Sequence, residues 1–315
     1  MSSEVIDKSR RFYENQVAPM IRSKFPEYES RIAVGLAGEG SDCFGYDDFI
    51  SRDHDFGTGV CLWLTDEDFH KFGRLLSIAY NELVDSIPGA DLTARLRQRR
   101  GVMTIDDFYS NILGTDIAAE SGTITEDTWR SLDHSCLATA VNGAVFRDDT
   151  GVFSAFRKML LDYYPDKIWK ERIALELHRF SASLQVNYSR CMARKDTVAA
   201  EICKTTGMEA AMELFFLLNR VFPPYYKWTY RALTEIDTKG SFARHILDLA
   251  ETPISPDAWK YIRYMPDNLN MSDRIVVISE QIAEMLRDML LESGLSGIND
   301  AYLEKHVDEI LKMCS

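Results

Sequence analysis

The chain contains no CxxC pair: its six cysteines are scattered at Cys43, Cys61, Cys136, Cys191, Cys203 and Cys314. That spacing fits reduced thiols better than a disulfide framework or a zinc ribbon. No run of about 18 apolar residues occurs, and the opening MSSEVIDKSRRFYENQ has no apolar stretch of the signal-peptide kind. Neither membrane insertion nor secretion is signalled, and a cytoplasmic protein is expected. Positive charge is also scarce. With 36 Lys and Arg against 49 Asp and Glu, the net charge is -13, which argues against a general nucleic-acid-binding surface built from clustered cations. A local exception, Arg95, Arg97, Arg99 and Arg100, reads either as a basic patch or as a solvated helix end. There is no GxxxxGK[ST] run, so a P-loop is excluded, and kinase motifs, internal repeats and low-complexity tracts are absent as well.

What is present is an ordinary globular composition, 46% hydrophobic and 27% charged over 315 residues, a length that suits two domains. Residues 3–24 read as an amphipathic lead-in helix ending before Pro26. Strand candidates follow at Arg31–Ala37, at the end of Asp53–Leu64, at Gly101–Ile105 and at Ala144–Arg147. Between them, Thr65 with Asp68 resembles a capping box that opens a helix stopped by Pro88-Gly89, and a short helix is expected over 106–113. Beyond residue 155 the strand signal fades, and long helical stripes take over. Ile168, Trp169, Ile173, Leu177, Phe180 and Leu184 form one; Met208, Ala211, Met212, Phe215, Leu218 and Phe222 another; Ile275, Ile278, Ile282, Met285 and Met289 a third. The expectation is an α+β domain over 1–155 followed by an α-helical bundle over 156–315. Pro223-Pro224 ends one bundle helix and opens the next. Tyr163, Tyr164 and Trp169 are expected to pack between the domains.

The stretch GEGSDCFGYDDFISRDHDFG, Gly38–Gly57, concentrates four glycines and six acidic residues in twenty positions. If Asp53–Asp55 are extended, Asp53 and Asp55 project from one face and His54 from the other. Two carboxylates on one face repel each other unless a cation lies between them, and Mg²⁺ or Mn²⁺ with phosphate oxygens suits such a pair. The Gly40-Ser41 loop adds backbone amides and a hydroxyl for phosphates. Asp47 and Asp48 are read as shaping the loop.

The order strand, Gly-Ser, eleven residues, Asp-x-Asp, strand resembles the polymerase-β-like nucleotidyltransferase superfamily, which includes aminoglycoside and lincosamide nucleotidyltransferases. GSDCFGYDDFISRDHDFG, GAVFRDDTGVFSAFRKMLLDYYPDKIW (Gly143–Trp169) and LLNRVFPPYYKW (Leu217–Trp228) also resemble the family of unknown function DUF4037. The superfamily resemblance implies a small mixed-sheet nucleotidyltransferase domain, a helical domain closing its cleft, and transfer of a nucleoside monophosphate from an NTP, ATP first, to a small-molecule or protein acceptor. By position it implies that Gly40 and Ser41 hold the triphosphate and Asp53 and Asp55 the metals, with Lys227 and Arg231 forming a cationic wall from the bundle side. Active superfamily members carry a third carboxylate on a later strand. Here RRGVMTIDD (Arg99–Asp107) has none inside the strand, so Asp106 or Asp107 at the strand end, or Asp148 further on, would have to substitute.

Rival readings are thinner. His54-Asp55 spells the HD phosphohydrolase doublet, but the other histidines fall in no matching motif. An Asp-x-Asp glycosyltransferase normally has a longer nucleotide-binding region before the motif. A catalytically inactive nucleotidyltransferase fold, serving as a nucleotide sensor or antitoxin-like partner-binding protein, is the stronger alternative, and the missing third carboxylate favours it.

Overall fold

The computed structural model describes residues 4–46, 50, 59–87, 94–265 and 268–314. It divides into two compact units, Met1–Tyr163 and Tyr164–Ser315. The helix Val152–Leu161 belongs to the first unit.

In the first unit a four-stranded mixed sheet comprises β1 (Ala33–Leu36), β2 (Cys61–Leu64), β3 (Gly101–Thr104) and β4 (Ala144–Arg147), in the order β3-β2-β1-β4. β1 runs antiparallel to both β2 and β4, whereas β2 and β3 are parallel. The alternation of β2 explains how both faces are covered. Leu62 and Leu64 face a core completed by Tyr13, Val17, Met20 and Ile21 from the lead-in helix and by Phe72, Leu76 and Tyr80. Trp63 turns the other way and stacks on Phe153 at 3.8 Å, with Phe108 at its edge. Apolar burial on both faces, at about 25 cal/mol per Å², favours the folded sheet.

The lead-in helix runs from Glu4 to Lys24 with one π-helical stretch, Tyr13–Val17, in its middle. Thr65 caps the helix that follows β2, its Oγ1 accepting from the Asp68 amide at 3.3 Å. The Pro88-Gly89 stop expected for that segment lies outside the described residues. Thr104 caps Ile105–Leu113 in the same way, accepting from the Asp107 amide at 2.9 Å.

Among its described residues the second unit is helical. Thr197–Leu218 is its long central helix and packs against Asp166–Phe180, Tyr188–Ala193, Tyr226–Ile236, Ser241–Glu251 and Arg274–Glu292. Every member of the Ile168–Leu184 stripe is buried. Trp169 and Tyr164 pack inside this unit: the Trp169 indole donates to the Leu217 carbonyl at 2.8 Å, and Tyr164 meets Phe222 edge-on. A buried lysine, Lys204, donates to the carbonyls of Ala250 and Thr252, neutralising the C-terminal end of Ser241–Glu251. No described helix is long and apolar enough to cross a membrane.

Candidate functional site

Sheet topology decides which sequence candidates can meet. Gly35 pairs with Cys61 across β1 and β2, Cys61 with Gly101, and Leu36 with Ala144. The exit of β1 (Ala37–Ser41), the entry to β2 (Gly59, Val60), the entry to β3 (Arg99, Arg100) and the entry to β4 (Asn142, Gly143) therefore share one end of the sheet. Gly40 and Ser41 lie at that end.

The loop there is held in an unusual shape. Gly38 and Gly40 have φ of 106° and 125°, which L side chains rarely adopt. A Cβ on Gly40 would also lie 2.3 Å from Asp42 Oδ1. Ser41–Phe44 then forms a short 3-10 turn. From β4's side, the Asn142 side chain acts as an extra peptide group: its Oδ1 accepts from the Gly38 amide and its Nδ2 donates to the Gly38 carbonyl, each at 2.8 Å. Gly143, φ 67°, donates to the Cys43 carbonyl at 2.9 Å. Among the described residues, nothing hydrogen-bonds the amides of Gly40 and Ser41 or the Ser41 hydroxyl. The loop thus presents donors of the kind that cradle phosphates.

Beneath it lies an ion pair that the sequence did not announce. Arg100 and Asp42, with side chains 3% and 5% exposed, form a buried salt bridge between the entry to β3 and the loop. Asp42 Oδ1 accepts from the Cys43 amide at 3.0 Å. Burial favours loss of the Arg100 proton, but Asp42 opposes this and keeps the guanidinium pKa above its ordinary value. Arg99, next in line, pairs with Glu39 at 2.5 Å, and Arg97 with Asp85 at 2.5 Å. Three of the four arginines are therefore held in individual ion pairs rather than forming an open basic patch, and the side chain of Arg95 lies outside the described residues. Burial, followed by Asp42, pushes the Cys43 thiol well above its usual range, and burial raises Cys61 to about 11.

Asp106 is not brought to this loop. Leu64 pairs with Thr104 at the opposite end of the sheet, and Asp106 follows beyond it, its Oδ1 accepting from the Glu120 amide at 3.1 Å. Asp107 shares that end, and its amide is engaged by Thr104. Asp148 also lies away from the loop, after Arg147, which pairs with Val34. Both of its carboxylate oxygens are committed to capping Val152–Leu161 through the amides of Gly151 (2.9 Å) and Ser154 (2.8 Å). The physical reason is strand direction: a carboxylate beyond the C-terminal end of β3 or β4 lies at the end opposite the loop.

Asp53 and Asp55, with Asp47 and Asp48, lie outside the described residues. Among the described residues no group of three or more His, Cys, Asp or Glu is arranged to hold a metal. The described carboxylates here, Glu39 and Asp42, are paired with Arg99 and Arg100.

In the second unit Lys227 and Arg231 share one exposed face of Tyr226–Ile236. Both lie over the Trp228 ring, at 5.1 and 5.5 Å from its centroid, and Arg231 also pairs with Glu235 at 3.7 Å. The neighbouring Tyr226 is 92% exposed. The face is cationic, with the Trp228 ring beneath the two cations and the Tyr226 ring beside them.

No curated protein and no solved structure matches the chain. A family model does match, over a segment that contains Gly143–Trp169 and Leu217–Trp228 and leaves out the Gly-Ser loop and the Asp-x-Asp run. That match covers residues 129–229, and the family is described as Domain of unknown function (DUF4037).

Proposed function

We propose that the first unit binds a nucleoside triphosphate, ATP foremost, with Mg²⁺ or Mn²⁺ and transfers its nucleoside monophosphate to a small-molecule or protein acceptor. The observation that supports this reading is the Gly38–Ser41 loop: two positive-φ glycines, with two amides and a hydroxyl unengaged among the described residues, at the sheet end where β2 begins. Gly40 and Ser41 receive the triphosphate. Asp53 and Asp55, assigned from sequence, hold the metal, which when bound neutralises charge on the transferring group. An acceptor hydroxyl, amine or phosphate attacks the α-phosphorus in line, the bond to the β-phosphate oxygen breaks, and pyrophosphate leaves.

The position of Asp106 favours a second reading, an inactive nucleotidyltransferase fold acting as a nucleotide sensor or as an antitoxin-like partner-binding protein. Superfamily catalysis uses a third carboxylate, and the described candidates, Asp106, Asp107 and Asp148, lie away from the loop.

The test is calorimetric titration of ATP, GTP, CTP and UTP with and without Mg²⁺, alongside Asp53→Ala/Asp55→Ala. Metal-dependent binding lost in the double variant is expected. Pyrophosphate release with an acceptor then separates transferase from sensor. A folded wild type that binds none of the four refutes the transferase and the sensor and leaves the partner-binding form of the second reading.

A further inference from the structure

We infer that Arg99 is the side chain that meets ligand phosphate at the Gly38–Ser41 loop, with Glu39 as the internal anion it exchanges for that phosphate. The inference rests on the phosphate-binding reading of the loop and names its cation.

Two neighbouring arginines enter β3, and the structure gives them different tasks. Arg100 is sealed, 3% exposed, against Asp42. Arg99 stands at the rim with its side chain 19% exposed and contacts Glu39, which is 56% exposed. The Arg99 backbone is fixed: its carbonyl accepts from the Cys61 thiol at 3.4 Å, while the Arg100 amide donates to the Leu96 carbonyl at 2.8 Å and the Gly101 amide to the Val60 carbonyl at 2.9 Å. A rigid base under a rim guanidinium reduces the conformational freedom lost when the fork engages an anion.

Glu39 lies between Gly38 and Gly40, so the carboxylate on Arg99 belongs to the loop itself. A guanidinium fork fits two carboxylate oxygens and two phosphate oxygens alike. The amides of Gly40 and Ser41 and the Ser41 hydroxyl follow within two residues and add donors for the remaining phosphate oxygens. Of the Glu39 and Asp42 carboxylates, Glu39 is the one an arriving phosphate can replace, because Asp42 is buried and Glu39 already reaches solvent.

The test uses the full chain, tripolyphosphate with Mg²⁺ as the probe, and calorimetry, with circular dichroism to verify folding. Arg99→Gln weakens binding by about tenfold or more, and Arg99→Lys, which keeps the charge but not the fork, falls between it and the wild type. Glu39→Gln, which removes the competing anion, tightens binding by about threefold. Arg99→Gln equal to wild type, or Glu39→Gln weaker than wild type, overturns the inference. So does a wild type that takes a nucleoside triphosphate but not tripolyphosphate. A wild type that binds neither overturns the loop reading as well.

Discussion

Replacing Arg100 with Met tests the main piece of electrostatics in the first unit. The guanidinium is lost, while the Asp42 carboxylate stays in a site where it is 5% exposed. A methionine fills part of the volume but cannot compensate the charge. Breaking a buried pair from one side costs about 3–5 kcal/mol, because the remaining ion is uncompensated. In a unit of this size each kcal/mol moves Tm by roughly 2–4 °C, so Tm should fall by about 6–20 °C. Asp42→Asn/Arg100→Met should recover much of the loss, since the new side-chain amide oxygen at position 42 can still accept from the Cys43 amide without carrying charge. Urea unfolding supplies the free energy, and hydrogen exchange at Cys61–Leu64 localises it to the sheet. A loss below about 1 kcal/mol for Arg100→Met, or a double variant as unstable as the sum of the singles, would refute the reasoning.

Two further outcomes follow from groups elsewhere. Burial, with Glu213 and opposed by Arg179, raises the Glu176 carboxyl to about 7 from 4.5. Its folded pKa lies above the unfolded value, so the native state binds more protons between these limits and stability falls as pH rises from 4.5 to about 7. Glu176→Gln should flatten that slope in urea melts taken across the range; an unchanged slope would assign it to other groups. Gly143→Ala should cost about 3 kcal/mol or more, because φ is 67° and the new Cβ would meet the Leu36 carbonyl at 2.0 Å. Gly114→Ala, with φ 69° and open space around it, should cost only about 1 kcal/mol in the same thermal melts.

Local patterns are legible in the sequence, and pairing between distant segments is not. The lead-in helix, all four strands and the Thr65 cap follow from hydrophobic period and capping chemistry, which act within a few residues. Asp106 shows where such reading ends. Its place after β3 is plain in the sequence, but the end of the sheet it reaches depends on β3 running parallel to β2, a pairing between residues about forty apart. The Asp42–Arg100 bridge is hidden for the same reason, with partners 58 positions apart. Its one local signal is an arginine directly preceding an apolar strand. A charge in that position is either solvated or sealed, and composition alone treats both as part of one basic run.

The way Asn142 completes the edge of β4 has a consequence for chemical ageing. Asn142 is followed by Gly143, a pair in which the following amide nitrogen can attack the side-chain carbonyl, close a succinimide and release ammonia. In the folded chain that nitrogen donates to the Cys43 carbonyl at 2.9 Å, and both ends of the Asn142 amide are held by Gly38. The attack therefore requires local opening, and the fold that shapes the loop also guards it. Once hydrolysis leaves an aspartate, its oxygen faces the Gly38 carbonyl where an NH₂ group had donated, and repulsion replaces a hydrogen bond. Damage at this one side chain would loosen the Gly38–Ser41 loop while leaving the aromatic core around Trp63 packed.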